Sequence, residues 1–255
     1  MITLGIDVGA SSTKAVIMDG STILAKYRQM AEGEEGQDIQ DALNGVLALA
    51  GIKKEELARI VATGAGGKNV SFADEVVTDI ASGARGAVFQ VPAARTVVDV
   101  GAERTGALAC DAEGNLLDFT TNERCAAGSG AFIEAMARAL QTNFETFIKF
   151  HFDSQKDIPL NAQCVVFAES DVVSLINTEG TTTADISRAI NNSIAERCSS
   201  MTRRVGVNPA ITVIGGVAMN SGFIDSLERF LETKVTVPEY PIFTSAVGAA
   251  LLAQS

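Results

Sequence analysis

The 255-residue chain has one histidine, His151, four cysteines with no CxxC pair, and 20 basic residues against 31 acidic ones. The resulting charge of −11 leaves no basic stripe on which a nucleic-acid backbone could lie, and Arg203-Arg204 reads as a solvated helix end. A single histidine supplies neither a metal site nor a dyad, so His151 is expected at the surface or in packing. No apolar run is long enough to span a bilayer; the longest, around Ile211 to Met219, is short and broken by glycine. The start "MITLGIDVGA" has no basic n-region and no cleavable apolar segment. These absences predict a cytoplasmic protein that engages neither membrane nor nucleic acid. In such a reducing compartment a disulfide framework is excluded, which leaves Cys110, Cys125, Cys164 and Cys198 as free thiols or metal ligands. At 47% hydrophobic residues, the chain can bury a large core without staples.

The segment "GIDVGASSTKAVIMDGSTILAK" (5 to 26) reads as a buried strand ending near Asp7, a glycine turn, a second strand from Thr13 to Met18, and a hairpin at Asp19-Gly20. It has a second copy in "VVDVGAERTGALACDAEGNLLDF" (97 to 119). At a constant offset of 92, Asp7/Asp99, Val8/Val100, Gly9/Gly101, Ala10/Ala102, Thr13/Thr105, Ala15/Ala107 and Asp19/Asp111 are identical. Chance would give roughly one match in such a window. Glycine lets backbone N–H groups approach a phosphate, Ser11, Ser12 and Thr13 add hydroxyls, and Lys14 adds charge. Asp7 and Asp99, at strand ends, suit a magnesium ion held through its waters. Two such turns would clamp a polyphosphate; the plainer alternative is a pair of hairpins with acidic turn residues.

Two familiar nucleotide signatures are missing. "GAGGKN" (64 to 69) lacks the hydroxyl residue and glycine spacing of a P-loop, and no complete GxGxxG follows a strand. Gly64 to Gly67 is expected to be a mobile loop. Later, "AITVIGGVAMNSGFIDSLERFL" (210 to 231) gives a β-rich run, a Gly215-Gly216 turn that would let a flat adenine lie on the backbone, and an amphipathic helix capped by Asn220 or Ser221.

This order of parts resembles the acetate and sugar kinase, heat-shock chaperone and actin ATPase superfamily. That resemblance implies an α/β protein of two duplicated actin/ribonuclease-H-like lobes closing on ATP. Asp7, Gly9, Ala10, Ser11, Ser12, Thr13 and Lys14 fall in the first phosphate motif, and Asp99, Gly101 and Ala102 in the second. Gly215, Gly216, Val217 and Asn220 fall in the adenosine motif. The first lobe is expected over 1–91 and the second over 92–240, with "PIFTSAVGAALLA" (241 to 253), rich in small residues, beginning a 241–255 segment that returns to the first lobe. Glu103 is a candidate to orient an attacking water, the alternative being an ordinary acidic surface residue.

The middle of the chain holds two thiol-headed helices. One, in "RCAAGSGAFIEAMARAL", has Phe132, Ile133, Met136, Ala137 and Leu140 on one face; the other, in "QCVVFAESDVVSLIN", draws its apolar content from Val166, Phe167, Val173, Leu175 and Ile176. A helix N-terminus lowers a thiol's pKa and favours an anionic cluster bound to the sulfur. An iron-sulfur cubane typically takes four cysteines, so Cys125 and Cys164 would be half a set, completed by a second subunit. From spacing alone, two buried core cysteines remain the alternative. Cys110 and Cys198 read as structural.

"NERCAAGSGAFIEAMA" and "CVVFAESDVVSLI" resemble the ATP-dependent activators of 2-hydroxyacyl-CoA dehydratases and the ATPase subunits of benzoyl-CoA reductases, along essentially the whole chain. The resemblance implies one 4Fe-4S cluster per dimer on Cys125 and Cys164, with ATP and Mg2+ in each subunit. It implies an electron received from a ferredoxin or flavodoxin and delivered to an acyl-CoA dehydratase or reductase. The dimer would be of identical chains or of this chain with a related ATPase subunit. Gly128, Ser129 and Gly130 would line the ATP cleft and carry lobe closure to the cysteine helices. The activators usually read Gly-Gly-Gln-Asp where this chain has Gly101-Ala102-Glu103-Arg104, which is closer to a benzoyl-CoA reductase ATPase subunit. The Cys-His pair common in activators is also absent near Ser82 and Gly83. The alternative to an electron-transfer ATPase is a small-molecule, sugar-type kinase without a cluster; an actin-like or chaperone-like assembly ATPase would need subdomains this chain is too short to hold.

Overall fold

In a computed structural model that describes residues 1–31, 36–122, 130–160 and 165–255, the side chains of 165–169 excepted, the duplication is carried into the backbone. Strand β1 (Ile2–Val8) pairs antiparallel with β2 (Ser12–Asp19), and β2 with β3 (Thr22–Met30) through the turn at Gly20. β4 (Arg59–Thr63) joins β1 in parallel and β5 (Glu75–Val76) extends the sheet, giving the order β3-β2-β1-β4-β5. The second sheet repeats the plan with β6 (Thr96–Val100), β7 (Thr105–Cys110), β8 (Leu116–Asn122), β9 (Ile211–Ile214) and β10 (Val235–Thr236), ordered β8-β7-β6-β9-β10. Register repeats too: Asp7 faces Lys14 across β1/β2 as Asp99 faces Gly106 across β6/β7. The meanders even share a bulge, between Ile17 and Met18 in one and Ala109 and Cys110 in the other.

Eight helices are found among the described residues: α1 (Gln37–Ala50), α2 (Asp79–Gln90), α3 (Gly130–Ala139), α4 (Phe144–Asp153), α5 (Val165–Ile176), α6 (Thr183–Val205), α7 (Ser221–Leu231) and α8 (Thr244–Leu252). On one face of the first sheet, Ile39, Ala42, Leu43 and Val46 of α1 pack against Leu4, Ile6, Ala15 and Ile17. The outer face of the second sheet carries the larger core, in which Phe132, Ile133 and Met136 of α3 meet Phe147 of α4, Ile190 and Ile194 of α6, and Phe223 of α7.

The inner faces are covered by an exchange. Helix α2, which follows the first sheet's strands, packs Ala84, Ala87 and Val88 against Val97, Leu108 and Ile214 of the second. Helix α8, which follows the second sheet's strands, packs Ala246, Val247 and Ala250 against Val16 and Met18 of the first. The two helices cross at glycines: a Cβ on Gly86 would fall on the Thr244 carbonyl oxygen, and one on Gly248 on that of Ser82. Close approach of this kind requires residues without side chains.

Helix α3 buries the expected Phe132, Ile133, Met136 and Ala137, with Leu140 packed beside them. In helix α5, among the described side chains, Val172 is buried with Leu175 packed partly beside it, whereas Val173 and Ile176 are exposed, because in a run of adjacent apolar residues the helical phase is set by contact with α3 and α6.

Candidate functional site: the duplicated turns

Each turn is closed by the same backbone bond, from Gly9 N–H to the Ser12 carbonyl at 3.1 Å and from Gly101 N–H to the Arg104 carbonyl at 2.8 Å. In the first turn Lys14 Nζ lies 3.4 Å from Asp7 and donates to the Ser12 carbonyl at 3.0 Å. Ala10 is exposed and Ser11 half-buried at the tip. Ser12 and Thr13 are buried, and their hydroxyls are engaged elsewhere: Arg28 donates to Ser12 Oγ at 3.1 Å, and Thr13 donates to Asp38 at 2.7 Å. In the second turn Ala102 is half-buried and Glu103 stands exposed at the tip. Arg104 reaches across to Asp79, the first residue of α2, in an ion pair.

These charges share one site. Burial pushes Asp99 up to about 7, reinforced by the Asp79 and Asp7 carboxylates and opposed by Arg104 and Lys14. A small pocket lined by Asp79, Asp99, Arg104, Thr105 and Thr121 opens there. Three carboxylates against two cations is a site that favours a further positive charge, such as a magnesium ion arriving with a polyphosphate.

Gly215 follows β9 with φ +89°, and a Cβ there would fall on the Val100 carbonyl and within 2.8 Å of Asp99 Oδ1. Gly216 borders open space. Of the pair, Gly215 is therefore demanded by the fold, and Gly216 is the one on which a ring could lie. Val217 is buried, and Asn220 caps α7, accepting from the N–H groups of Gly222 and Phe223 at 3.0 and 3.1 Å.

The expected mobile loop at Gly64 to Gly67 is instead a packed counterpart of Gly215. Gly64 follows β4 with φ +86°, a Cβ on it would fall on Asp7 Oδ1, and Gly66 N–H donates to the Val8 carbonyl at 2.9 Å. The shared signal is a glycine directly after the parallel strand beside each aspartate. Arg104 stood in the quoted Gly101-Ala102-Glu103-Arg104 stretch and Asp79 in no motif, and neither was among the expected site residues; only the structure brings them together.

Helix α3 begins on the second turn. Gly130 N–H donates to the Gly101 carbonyl at 2.9 Å and Ala131 N–H to that of Ala102 at 2.8 Å, while Val217 Cγ2 lies against Gly130. Cys125, Gly128, Ser129 and Cys164 lie outside the described residues. Cys110 and Cys198 are buried, and burial pushes the Cys198 thiol up to about 12. Among the described residues no group of three or more His, Cys, Asp or Glu side chains is placed to hold a metal, and no helix is long and apolar enough to cross a membrane.

His151 is buried rather than at the surface. It donates from Nε2 to Asp225 at 3.0 Å and accepts at Nδ1 from Asn191, 3.3 Å away, while Asn220 Nδ2 donates to Asn191 Oδ1 at 2.8 Å. This chain of bonds fixes the cap of α7 beside the Gly215-Gly216 turn.

Residues 4–253 match the model of the BadF/BadG/BcrA/BcrD ATPase family. The chain belongs to that family. It is 38% identical, over 99% of its length and 97% of the relative's, to the activator of lactoyl-CoA dehydratase of Anaerotignum propionicum. It is 30% identical to a benzoyl-CoA reductase subunit of Thauera aromatica, over 98% and 92% of the two chains. The solved activator of the 2-hydroxyisocaproyl-CoA dehydratase of Clostridium difficile with bound ADPNP superposes with a TM-score of 0.92 at 35% identity, covering 99% of this chain and 94% of that one. Membership bears out the duplicated actin-like architecture around a nucleotide site and weighs against the small-molecule kinase.

Proposed function

We propose that the protein hydrolyses ATP between the two turns and uses it to drive a low-potential electron onto a partner acyl-CoA dehydratase or aromatic acyl-CoA reductase. The observation that carries this reading is the pair of bonds tying Gly130 and Ala131 to Gly101 and Ala102, since it links the second phosphate turn to the helix that follows Cys125. Asp7 and Asp99 would hold Mg2+ through its waters, the backbone of Gly9 to Ser11 and of Gly101 to Ala102 would bind the phosphates, and Gly216 would receive the adenine.

The donor set fits an iron-sulfur group in kind. Buried, protonated Cys110 and Cys198 are unsuited to ligation, whereas Cys125 and Cys164 immediately precede or lie close before α3 and α5, which pack together through Phe132, Met136 and Val172. A 4Fe-4S cluster on these two thiolates and the same pair from a second subunit, identical or related, would supply one-electron chemistry, with a ferredoxin or flavodoxin as donor. Closing on ATP displaces the Gly101-Ala102 turn, and α3 moves with it because its first two N–H groups are bonded there. ATP can act only through its differential affinity for the two arrangements.

Purified without oxygen, the protein should be brown and contain iron; Cys125→Ala and Cys164→Ala should lose the iron and Cys198→Ala should keep it. A colourless, iron-free wild type that still hydrolyses ATP would remove the redox half of the proposal. A midpoint potential and a partner affinity identical with ATP, ADP and no nucleotide would remove the coupling.

A further inference from the structure

We propose that Arg104 is a catalytic residue acting on the terminal phosphate of ATP, and that Asp79 is its positioning residue. The proposal rests on the ATP-hydrolysing reading above and deepens it.

Four observations lead there. Arg104 occupies, in the second turn, the place Ser12 holds in the first, where the backbone carbonyl closes the loop on a glycine N–H. The first turn's own cation, Lys14, has Gly106 as its equivalent in the second, so the second turn presents its positive charge from position 104 instead. The guanidinium is partly exposed, at 29%, and lines the same pocket as Asp99 and Thr105. Finally, Asp79, fixed at the start of α2 behind its Thr78 cap, grips the guanidinium from one side and so limits the directions it can take.

The charge balance indicates what this arrangement is for. Without Arg104 the site would set Asp7, Asp79 and Asp99 against Lys14 alone, a poor receiver for a polyanion. In hydrolysis, water adds to the terminal phosphorus as the bond to the β–γ bridging oxygen breaks. ADP and inorganic phosphate leave, and the water's proton is released. Negative charge is spread over the terminal and bridging oxygens during that step, and a planar guanidinium held in place stabilises it. Asp79 does not touch the nucleotide; it keeps the fork oriented.

The test compares wild type, Arg104→Ala, Arg104→Lys and Asp79→Asn, each checked for a wild-type thermal melt, by steady-state ATPase kinetics and by titration with ADPNP and ADP. Arg104→Ala should lower kcat on the order of 100-fold. It should also cost about tenfold more affinity for ADPNP than for ADP. Arg104→Lys should recover most of the ADPNP preference but little of kcat, because a point charge lacks the fork. Asp79→Asn should lower kcat without weakening ADPNP binding, since removing a carboxylate lessens repulsion of the phosphates. A folded Arg104→Ala with wild-type kcat and an unchanged ADPNP-to-ADP ratio overturns the role of Arg104; equal loss of both affinities with kcat intact makes it a structural residue and overturns the proposal as well. Unchanged kcat in Asp79→Asn overturns the role of Asp79. A wild type that neither binds ADPNP nor hydrolyses ATP overturns the underlying function, and is distinguishable because no variant is then needed.

Discussion

The two turns share a backbone and differ in charge. In the first, Lys14 answers its own aspartate across the hairpin; in the second, glycine stands at that position, and the positive charge that most opposes the rise of Asp99 comes from Arg104 in the turn, itself ion-paired with Asp79. The two copies thus share the shape of the turn while their charges differ, leaving Asp99 as a carboxylate pushed up to about 7. The lesson is that geometry and electrostatics were inherited separately.

The largest test of the shared geometry is at the helix crossing. Gly86→Ala and Gly248→Ala each place a methyl on a backbone carbonyl that cannot retreat, and each should cost about 3 kcal/mol or more in denaturant unfolding. Near-equal losses would support the two-fold equivalence of α2 and α8, and a tolerated substitution at either would break it. The charge difference is tested next by pH. Because the folded state keeps the Asp99 proton up to about 7 whereas the unfolded chain releases it near 3.8, wild type binds more protons folded than unfolded between those values and loses stability as pH rises across them. Asp99→Asn, neutral throughout, should lack that loss. In magnesium-free protein its advantage should be nil below pH 3.8 and grow to about 4 kcal/mol by pH 8, while ATP hydrolysis falls. The smallest effect concerns the second half alone. Burial holds His151 below 6.5, outweighing the Asp225 carboxylate, so the unfolded chain takes up a proton first as pH falls and stability drops below that value. His151→Gln should flatten this limb of the pH–stability curve.

Much of the fold was legible because the repeat preserves spacing: an offset of 92 aligned Asp7 with Asp99 and Gly9 with Gly101, and the structure extends it to the turn-closing bonds and the bulges. The equivalence of Gly64 to Gly215 escaped notice because four helices stand between β8 and β9 where α1 stands between β3 and β4, which destroys the constant offset. Arg104 and Asp79 were illegible as a pair because they come from a hairpin and a helix 25 residues apart whose meeting depends on α2 lying on the second sheet. His151 gave no periodic signal of burial, since its place is secured by Asn191, Asn220 and Asp225, polar residues that a hydrophobic pattern does not register.

The exchange of α2 and α8 also sets an order of assembly. As the chain emerges from its N-terminus, β1 to β5 can pair, but Thr3, Gly5, Val16 and Met18 have no cover until α8 has been made, some 240 residues later. The earliest strands are thus completed by one of the latest segments, and a nascent chain must keep half of its first sheet from sticking elsewhere until synthesis is nearly done.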